Sequence, residues 1–485
     1  MPTESMILLG LALVVGFYMA WNIGANDVAN AMGTSVGSGA LTLRNAIIAA
    51  AIFEFAGAYF VGANVSSTIR KGIFDPSLIT DPNILAAGMI AALLSAGVWL
   101  QIASYFGWPV STTHSIVGAV VGFGCVSVGM QNIEWANITQ IAMSWVISPL
   151  VAGSISYLLF RMLLHLVFYQ RDPIAAAKKI TPFLVFVVVI VLVGVTSFKA
   201  LKNIWKSVQW NGEMLTPHHP LAIASTTAAA AIFGVIAAII AAAIVRRIKS
   251  EPIAKRSRFE TVYVTRSLDK AIKHLRRIEN TATDDVRAQT SHLLERAQAI
   301  STAVEKQADP DLTRSAYAQV ERIFVYLQIL SACFVAFAHG ANDVANAIGP
   351  LSAAVQALRD GVIAAKTTVS PMLLALGGVG IVIGLATWGW RVMQTIGRRI
   401  TELTPTRGFS AEFGAATTIL IASLSGLPIS TTHTLVGAVL GVGLARGIGA
   451  INLNVVRDII ASWVVTIPAG AGLAIAFYYA LRLAL

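Results

Sequence analysis

Three windows of this chain, Ile84 to Phe106, Ile138 to Phe160 and Leu221 to Val245, run for more than 18 residues without one charged side chain. Each is long enough to cross a bilayer as a helix, which takes about 20 apolar residues. Lipid offers the backbone no hydrogen bonds, so such segments must be helical or close into a barrel, and runs this long are helical. Composition agrees: of 485 residues, 56% are hydrophobic and 12% charged, against about 45–50% and 25% in an ordinary soluble domain. The sequence therefore reads as an all-α, polytopic membrane protein, and a water-soluble enzyme of normal composition is excluded.

Apolar windows predict about twelve transmembrane segments, at 6–25, 46–65, 84–106, 112–129, 138–160, 182–198, 221–245, 323–341, 372–392, 411–425, 431–446 and 455–480. The two shortest, 411–425 and 431–446, are half-crossings by length. No Lys or Arg precedes the first window, so the basic flank of a signal peptide is missing and the segment is expected to be retained. Cys125 and Cys333 each lie in an apolar run without pairing or metal-ligand spacing, and read as packing residues.

The net charge of +11 is concentrated in one place. Arg246 to Arg322 carries 16 Lys and Arg and 11 Asp and Glu, with helix-like patterns over Leu268 to Ile278 and Thr283 to Val304. This segment is expected to be a basic helical loop on the cytoplasmic side. Arg171, Lys178, Lys179, Arg391, Arg398, Arg399 and Arg407 agree with that orientation, while Lys199, Lys202 and Lys206 argue mildly against it. A basic excess placed this way belongs to membrane topology and not to nucleic acid.

Two motif pairs show an internal duplication. Gly24-Ala25-Asn26-Asp27-Val28-Ala29-Asn30-Ala31 recurs identically from Gly340 to Ala347, 316 residues later. Pro109-Val110-Ser111-Thr112-Thr113-His114 recurs as Pro428-Ile429-Ser430-Thr431-Thr432-His433 at an offset of 319, and Ser144-Trp145-Val146 as Ser462-Trp463-Val464 at 318. The expected organisation is a first membrane half at 1–170, additional transmembrane helices at 171–245, the basic loop at 246–322 and a second half at 323–485. Seven windows separate the two motif starts, an odd number, so the halves are expected to be inverted with broken or hairpin helices. Secondary transporters built this way bind substrate where the halves meet.

The motifs carry chemistry suited to ions. An ionised Asp in hydrocarbon costs about 2.5–3.5 kcal/mol even on the lenient insertion scale, so Asp27 and Asp343 require compensation. Gly24 and Gly340 could open the backbone and expose carbonyls that join Asp27, Asp343, Asn26 and Asn342 as hard ligands for Na⁺, or the Asp could take a proton. The alternative is that Gly, Ala and Asn simply allow close helix packing.

Pro-x-Ser-Thr-Thr-His reads as a helix start, because Pro disfavours helix at the residue before it and Ser or Thr caps the next turn. Hydroxyls of Ser111, Thr112, Thr113, Ser430, Thr431 and Thr432, free N–H groups and the helix dipole suit a tetrahedral oxyanion such as phosphate. An ordinary helix cap is the alternative, and it explains two identical copies less well. His114 and His433 fit an orienting role better than proton carriage. Two further acids, Glu54 and Glu412, lie in apolar windows as candidate cation sites, although a helix starting at Ser410 would make Glu412 a first-turn acid. They do not align by the repeat offset. Importing a divalent anion against about 100 mV costs about 4.6 kcal/mol, which calls for a co-transported cation.

At these residues the sequence resembles the inorganic phosphate transporter (PiT) family, over both membrane halves. It is similar to the sodium-dependent branch through Gly33 to Gly39 and Thr68-Ile69-Arg70-Lys71-Gly72-Ile73. The resemblance implies twelve crossings in an inverted repeat, a cytoplasmic central loop and a place in the cell (plasma or inner) membrane. It also implies phosphate held by Ser111, Thr112, Thr113, Ser430, Thr431 and Thr432, with Asn26, Asp27, Asn342 and Asp343 forming the phosphate and cation region. Glu54 and Glu412 stand at positions of acids essential in relatives. Gly349-Pro350 replaces Gly33-Thr34 in the second copy, so symmetric cation ligands are not implied.

The expected function is import of inorganic phosphate coupled to Na⁺, with H⁺ coupling or a metal–phosphate substrate as variants. A cation exchanger is disfavoured by the anion-attracting helix starts. A membrane phosphate sensor or scaffold would use 246–322 to bind partners. No nucleophile–base pair or nucleotide-binding loop suggests an enzyme. The expected partners are phosphate, Na⁺ and the lipid bilayer; no cofactor or nucleic acid is called for, and a homo-oligomer is compatible with the sequence.

Overall fold

The structure is a computed structural model describing residues 3–63, 65–66, 68, 72–205, 209–210, 213–214, 219–248, 259–281, 283–307, 310–361, 369–390, 403–447 and 453–484. Among them fourteen α-helices follow in order. These are α1 (Thr3–Gly37), α2 (Leu43–Val61), α3 (Pro82–Phe106), α4 (Thr112–Ser127), α5 (Trp135–Leu163), α6 (Pro173–Trp205) and α7 (Pro220–Arg247). Then come α8 (Phe259–Thr281), α9 (Asp284–Gln307), α10 (Pro310–Asp360), α11 (Pro371–Thr387), α12 (Pro405–Leu424), α13 (Thr431–Arg446) and α14 (Leu453–Ala484). Residues 69–71, part of the family-like stretch, and Arg391, Arg398 and Arg399 lie outside the described residues.

Every apolar window holds a helix, but a helix is not always a crossing. Eight are long and apolar enough to span a membrane, while α4 and α11 are shorter apolar helices and α12 and α13 fall outside both groups. The protein is a multi-pass membrane protein. Large apolar side chains on α5 and α7, among them Leu150, Leu158, Ile232, Phe233 and Ile239, are exposed, a surface suited to lipid.

The chain forms two compact units. The first comprises Met1–Phe160, Phe186–Val235 and Tyr326–Leu485. Within it α1 packs on α3 and α11, α2 on α11, and α14 on α3 and α4. The second comprises Arg161–Val185 and Ile236–Val325, and there α8 and α9 pair as a hairpin. Leu268, Leu275 and Ile278 of α8 and Leu293 and Ile300 of α9 line the apolar groove between them, following the 3.6-residue period of the sequence.

Local chemistry explains the two half-length helices that carry the Ser-Thr-Thr motif. Gly107 and Gly426 sit at φ 69° and 70°, the left-handed conformation that ends α3 and α12. The chain turns back through Pro109 or Pro428, and Ser111 and Ser430 then cap α4 and α13 by accepting from the backbone N–H of His114 and His433, both at 3.2 Å. Each pair, α3 with α4 and α12 with α13, is thus a helix hairpin, as the repeat pattern anticipates.

The glycines of the other motif act differently from the expected backbone opening. Helices α1 and α10 continue unbroken through Gly24 and Gly340. A Cβ on Gly24 would stand 1.9 Å from the Ile381 carbonyl oxygen, and one on Gly340 would stand 2.1 Å from that of Glu54. Both glycines therefore permit close helix contact, and unwound carbonyls do not join the Asp side chains as ligands. The two contacts are reciprocal: the first motif lies on α11 and the second on α2, an approximate two-fold relation between the repeats.

Candidate functional site

Asp27 and Asp343 are buried at 1% and 0% exposure, on α1 and α10. Each half reaches into the helix start of the other. Asn30 Nδ2 donates to Thr432 Oγ1 at 2.8 Å and to Asp27 Oδ1 at 3.0 Å. Asn346 Nδ2 lies 3.1 Å from Thr112 Oγ1 and 3.2 Å from Thr113 Oγ1. Thr432 Oγ1 stands 3.4 Å from Asp27 Oδ1, and Thr431 Oγ1 donates to Asp343 Oδ2 at 2.7 Å. The structure thus brings Asp27, Asp343, Thr112, Thr113, Thr431 and Thr432 into one buried cluster, with Ser111 and Ser430 beneath as helix caps. Hydroxyls and helix N-termini that attract an anion stand beside carboxylates that attract a cation.

Asn26 and Asn342 have equivalent partners. Asn26 Nδ2 donates to Ser104 Oγ at 2.7 Å, and the Asn342 carboxamide lies 3.0 Å from Ser423 Oγ. With its amide turned toward Ile429 and Asp343, Asn342 accepts from Ser423 and donates to Ile429 O and Asp343 Oδ1, the latter two each at 3.1 Å. Ser104 and Ser423 are separated by the repeat offset of 319, the signal that could have found them.

His114 and His433 meet each other, with ring centroids 4.4 Å apart, and each also packs on a repeat-related tryptophan. The His114–Trp145 and His433–Trp463 centroids lie 3.8 and 3.4 Å apart. Their Nδ1 atoms approach the carbonyls of Trp463 at 3.4 Å and Trp145 at 3.3 Å, which places the hydrogen on Nδ1.

The residue that motif reading missed is His339, immediately before the second motif and fully buried. Its Nε2 is 2.9 Å from Asp343 Oδ2 and 3.9 Å from Asp27 Oδ2, while its Nδ1 is 3.3 Å from Glu54 Oε1. Glu54 is thereby attached to the central cluster. The first copy has Ile23 before its motif, so a histidine in one repeat against an isoleucine in the other was the available signal. Ligand atoms of Asp27, His339 and Asp343 all lie within 4.8 Å of one another.

Glu412 belongs to a different group. It lies inside α12, whose cap is Thr404, so it is not a first-turn acid. Its Oε1 accepts from Thr34 Oγ1 at 2.5 Å, Ser35 Oγ at 2.7 Å and Gln328 Nε2 at 3.2 Å, and Oε2 accepts from Ser331 Oγ. Four donors from α1 and α10 satisfy a fully buried carboxylate. Repeat offsets place Leu93 opposite Glu412, Pro350 and Leu351 opposite Thr34 and Ser35, and Ala12 and Val15 opposite Gln328 and Ser331. The polar group therefore exists in one half only.

Residues 23–474 match the family described as the phosphate transporter family. The chain is 45% identical over 468 residues to "Inorganic phosphate transporter 2-1, chloroplastic" of Arabidopsis thaliana, covering 96% of this chain and 70% of that one. A Chlamydia pneumoniae protein is 45% identical over 480 residues, 98% of each chain. A solved structure described as "The sodium-dependent phosphate transporter" aligns with a TM-score of 0.77 at 34% identity, covering 99% of this chain and 100% of that chain.

Proposed function

This chain belongs to the phosphate transporter family, a family of transporters and not of enzymes, and we propose that it imports inorganic phosphate by symport with Na⁺. The observation that carries the reading is the meeting of Thr112, Thr113, Thr431 and Thr432 with Asp27 and Asp343 at the crossing of the two repeats. An oxyanion held by those hydroxyls and helix starts would lie against two buried carboxylates. A cation bound through Asp27, Asp343, Asn26 and Asn342 offsets that repulsion, and the membrane potential makes a co-transported cation favourable. Ser111 and Ser430 hold the helix starts in shape, while the buried acids Glu54 and Glu412 are further cation sites in this reading. The 34% identity to a sodium-dependent transporter supports Na⁺ as the coupling ion. The protein is read as residing in the cell membrane with 246–322 on the cytoplasmic face.

Radiolabelled phosphate uptake into liposomes containing the purified protein tests this, first under a Na⁺ gradient at equal pH and then under a pH gradient without Na⁺. Uptake that needs Na⁺ supports the symporter; uptake driven by the pH gradient alone reassigns the carboxylates to protons. Binding without uptake in either condition favours a sensor. A second reading, transport of a metal–phosphate complex, draws on the convergence of Asp27, His339 and Asp343, because an imidazole nitrogen suits a divalent transition ion better than Na⁺. Uptake abolished by a chelator and restored by Mn²⁺ would favour it.

A further inference from the structure

Two tryptophans at matching places in the repeats use the same indole differently. Trp145 of α5 and Trp463 of α14 stand in the duplicated Ser-Trp-Val at an offset of 318. Around them the two-fold relation holds closely. Each backbone carbonyl faces the histidine of the other half's hairpin, His433 at Trp145 O and His114 at Trp463 O. Each indole packs on the histidine of its own half. The hairpin turns also meet reciprocally: Thr113 Oγ1 donates to Ile429 O at 3.0 Å, and Thr432 Oγ1 stands 3.4 Å from Val110 O.

The indole nitrogens break this pattern. Trp145 Nε1 donates to Pro428 O at 3.2 Å, tying the turn between α12 and α13 to α5. The repeat-related bond would run from Trp463 Nε1 to Pro109 O, in the turn between α3 and α4. It is not made, because Trp463 Nε1 is buried with no hydrogen-bond partner. Trp145 and Pro428 are buried, whereas Trp463 and Pro109 are partly exposed. Buried donors are rarely left unpaired, and the local motifs, identical in type in both halves, do not account for this one. In a protein of two inverted repeats, interchanging the conformations of the halves gives the same molecule facing the other side of the membrane. That interchange moves the indole bond from Trp145–Pro428 to Trp463–Pro109.

We propose that the two indoles are alternate latches on the Ser-Thr-Thr hairpins: Trp145 holds the turn at Pro428 in the state seen here, and Trp463 holds the turn at Pro109 in the oppositely facing state. The inference rests on the transport reading above and goes beyond it by naming groups that exchange between the two states. Trp463 N–H is stranded here because its acceptor belongs to the other state. A released turn is free to move while the latched one stays fixed, so the hairpins open one at a time.

Such a preference reads out as sidedness. Where a site faces each side in turn, its apparent affinity on a side is reduced by the fraction of molecules facing it, so the ratio of the two affinities follows the ratio of populations. Deleting a hydrogen bond made in one state only shifts that ratio by about fivefold, the net worth of such a bond.

The test is uptake of radiolabelled phosphate at fixed Na⁺ by right-side-out and inside-out membrane vesicles carrying the full-length protein, which gives the half-saturating phosphate concentration on each face. Phenylalanine removes the indole N–H and keeps a ring against the histidine. Trp145→Phe is expected to shift the ratio of the two concentrations by about fivefold in one direction and Trp463→Phe by about fivefold in the other, with the double variant returning to within about twofold of the unaltered protein. Indoles that only pack would change both faces alike and leave the ratio where it was. Trp463→Phe is decisive even where Trp145→Phe does not fold, because it removes no hydrogen bond of the state seen here. An unchanged ratio in Trp463→Phe, or shifts of both single variants in the same direction, would overturn the latch and leave phosphate transport standing. Absence of uptake by the unaltered protein on either face would overturn the transport reading along with it.

Discussion

His339 Nδ1 lies 3.3 Å from Glu54 Oε1, joining α10 to α2 inside the membrane unit. The corresponding positions in the other half are Ile23 and Ile381: Ile23 precedes Gly24 as His339 precedes Gly340, and Gly24 rests on Ile381 as Gly340 rests on Glu54. One place in an approximately two-fold protein is thus polar on one side and apolar on the other. The duplicated motifs are identical in sequence, but their neighbours make the two Asp residues chemically different.

Removing one partner of a buried charged or hydrogen-bonded pair strands the other, at about 3–5 kcal/mol. His339→Ile is therefore expected to lower the thermal unfolding midpoint markedly. Combining it with Glu54→Ile, which recreates the apolar pair of the other half, should recover part of the loss, with a coupling of at least about 1 kcal/mol. Recovery stays partial because Asp343 also loses its imidazole partner. Purely additive effects in a thermal-melt cycle would contradict the pairing.

Asp27→Asn is expected to abolish cation-coupled phosphate uptake while the protein still inserts and elutes as a monodisperse species. Asn preserves the volume and can still meet Asn30 and Thr432, so the loss would be of charge and not of fold. Full uptake in liposomes would remove Asp27 from the cation site.

Thr112→Ala together with Thr431→Ala deletes one hydroxyl from each helix start. Each lost hydrogen bond to a charged group is worth about 1.5–3 kcal/mol, so phosphate affinity should fall at least about tenfold while the Na⁺ dependence of uptake moves less. Titrations of phosphate at fixed Na⁺, and of Na⁺ at fixed phosphate, separate the two effects.

Gly340→Ala would place a methyl group 2.1 Å from the Glu54 carbonyl oxygen. A backbone atom cannot rotate away, so α2 must shift, and overpacking of this kind costs about 1–3 kcal/mol. Gly10→Ala, with nothing within 4 Å of its added carbon, should leave the melting temperature unchanged or slightly raised. Equal melting of the two variants would argue against the close helix contact.

Glu412→Leu copies the residue found at the repeat-related position, Leu93. It should still be poorly tolerated, because Thr34, Ser35, Gln328 and Ser331 would lose their common acceptor in a buried place, at about 1–3 kcal/mol for each group left unsatisfied. Expression and thermal melting measure this directly; a fully stable variant would show that the hydroxyls find other partners.

Much of the architecture was legible from the chain alone because membrane insertion depends on local properties. Uncharged runs of spanning length require helices, caps such as Ser111 and Ser430 start them, and an exact repeat of eight residues reports duplication whatever the packing. The conduct of Gly24 and Gly340 was not legible, since a glycine that opens a helix and one that admits a neighbour look alike until the neighbour is known. Only the tertiary structure brought Asn30 to Thr432 and Asn346 to Thr112 and Thr113, partners hundreds of residues distant. It alone separated Glu54, joined to His339 beside the Asp pair, from Glu412, held by four neutral donors. Sequence determined which groups the membrane must accommodate; which group compensates which depends on helix crossings that place residues from both repeats within about 3 Å, and no single segment carries that information.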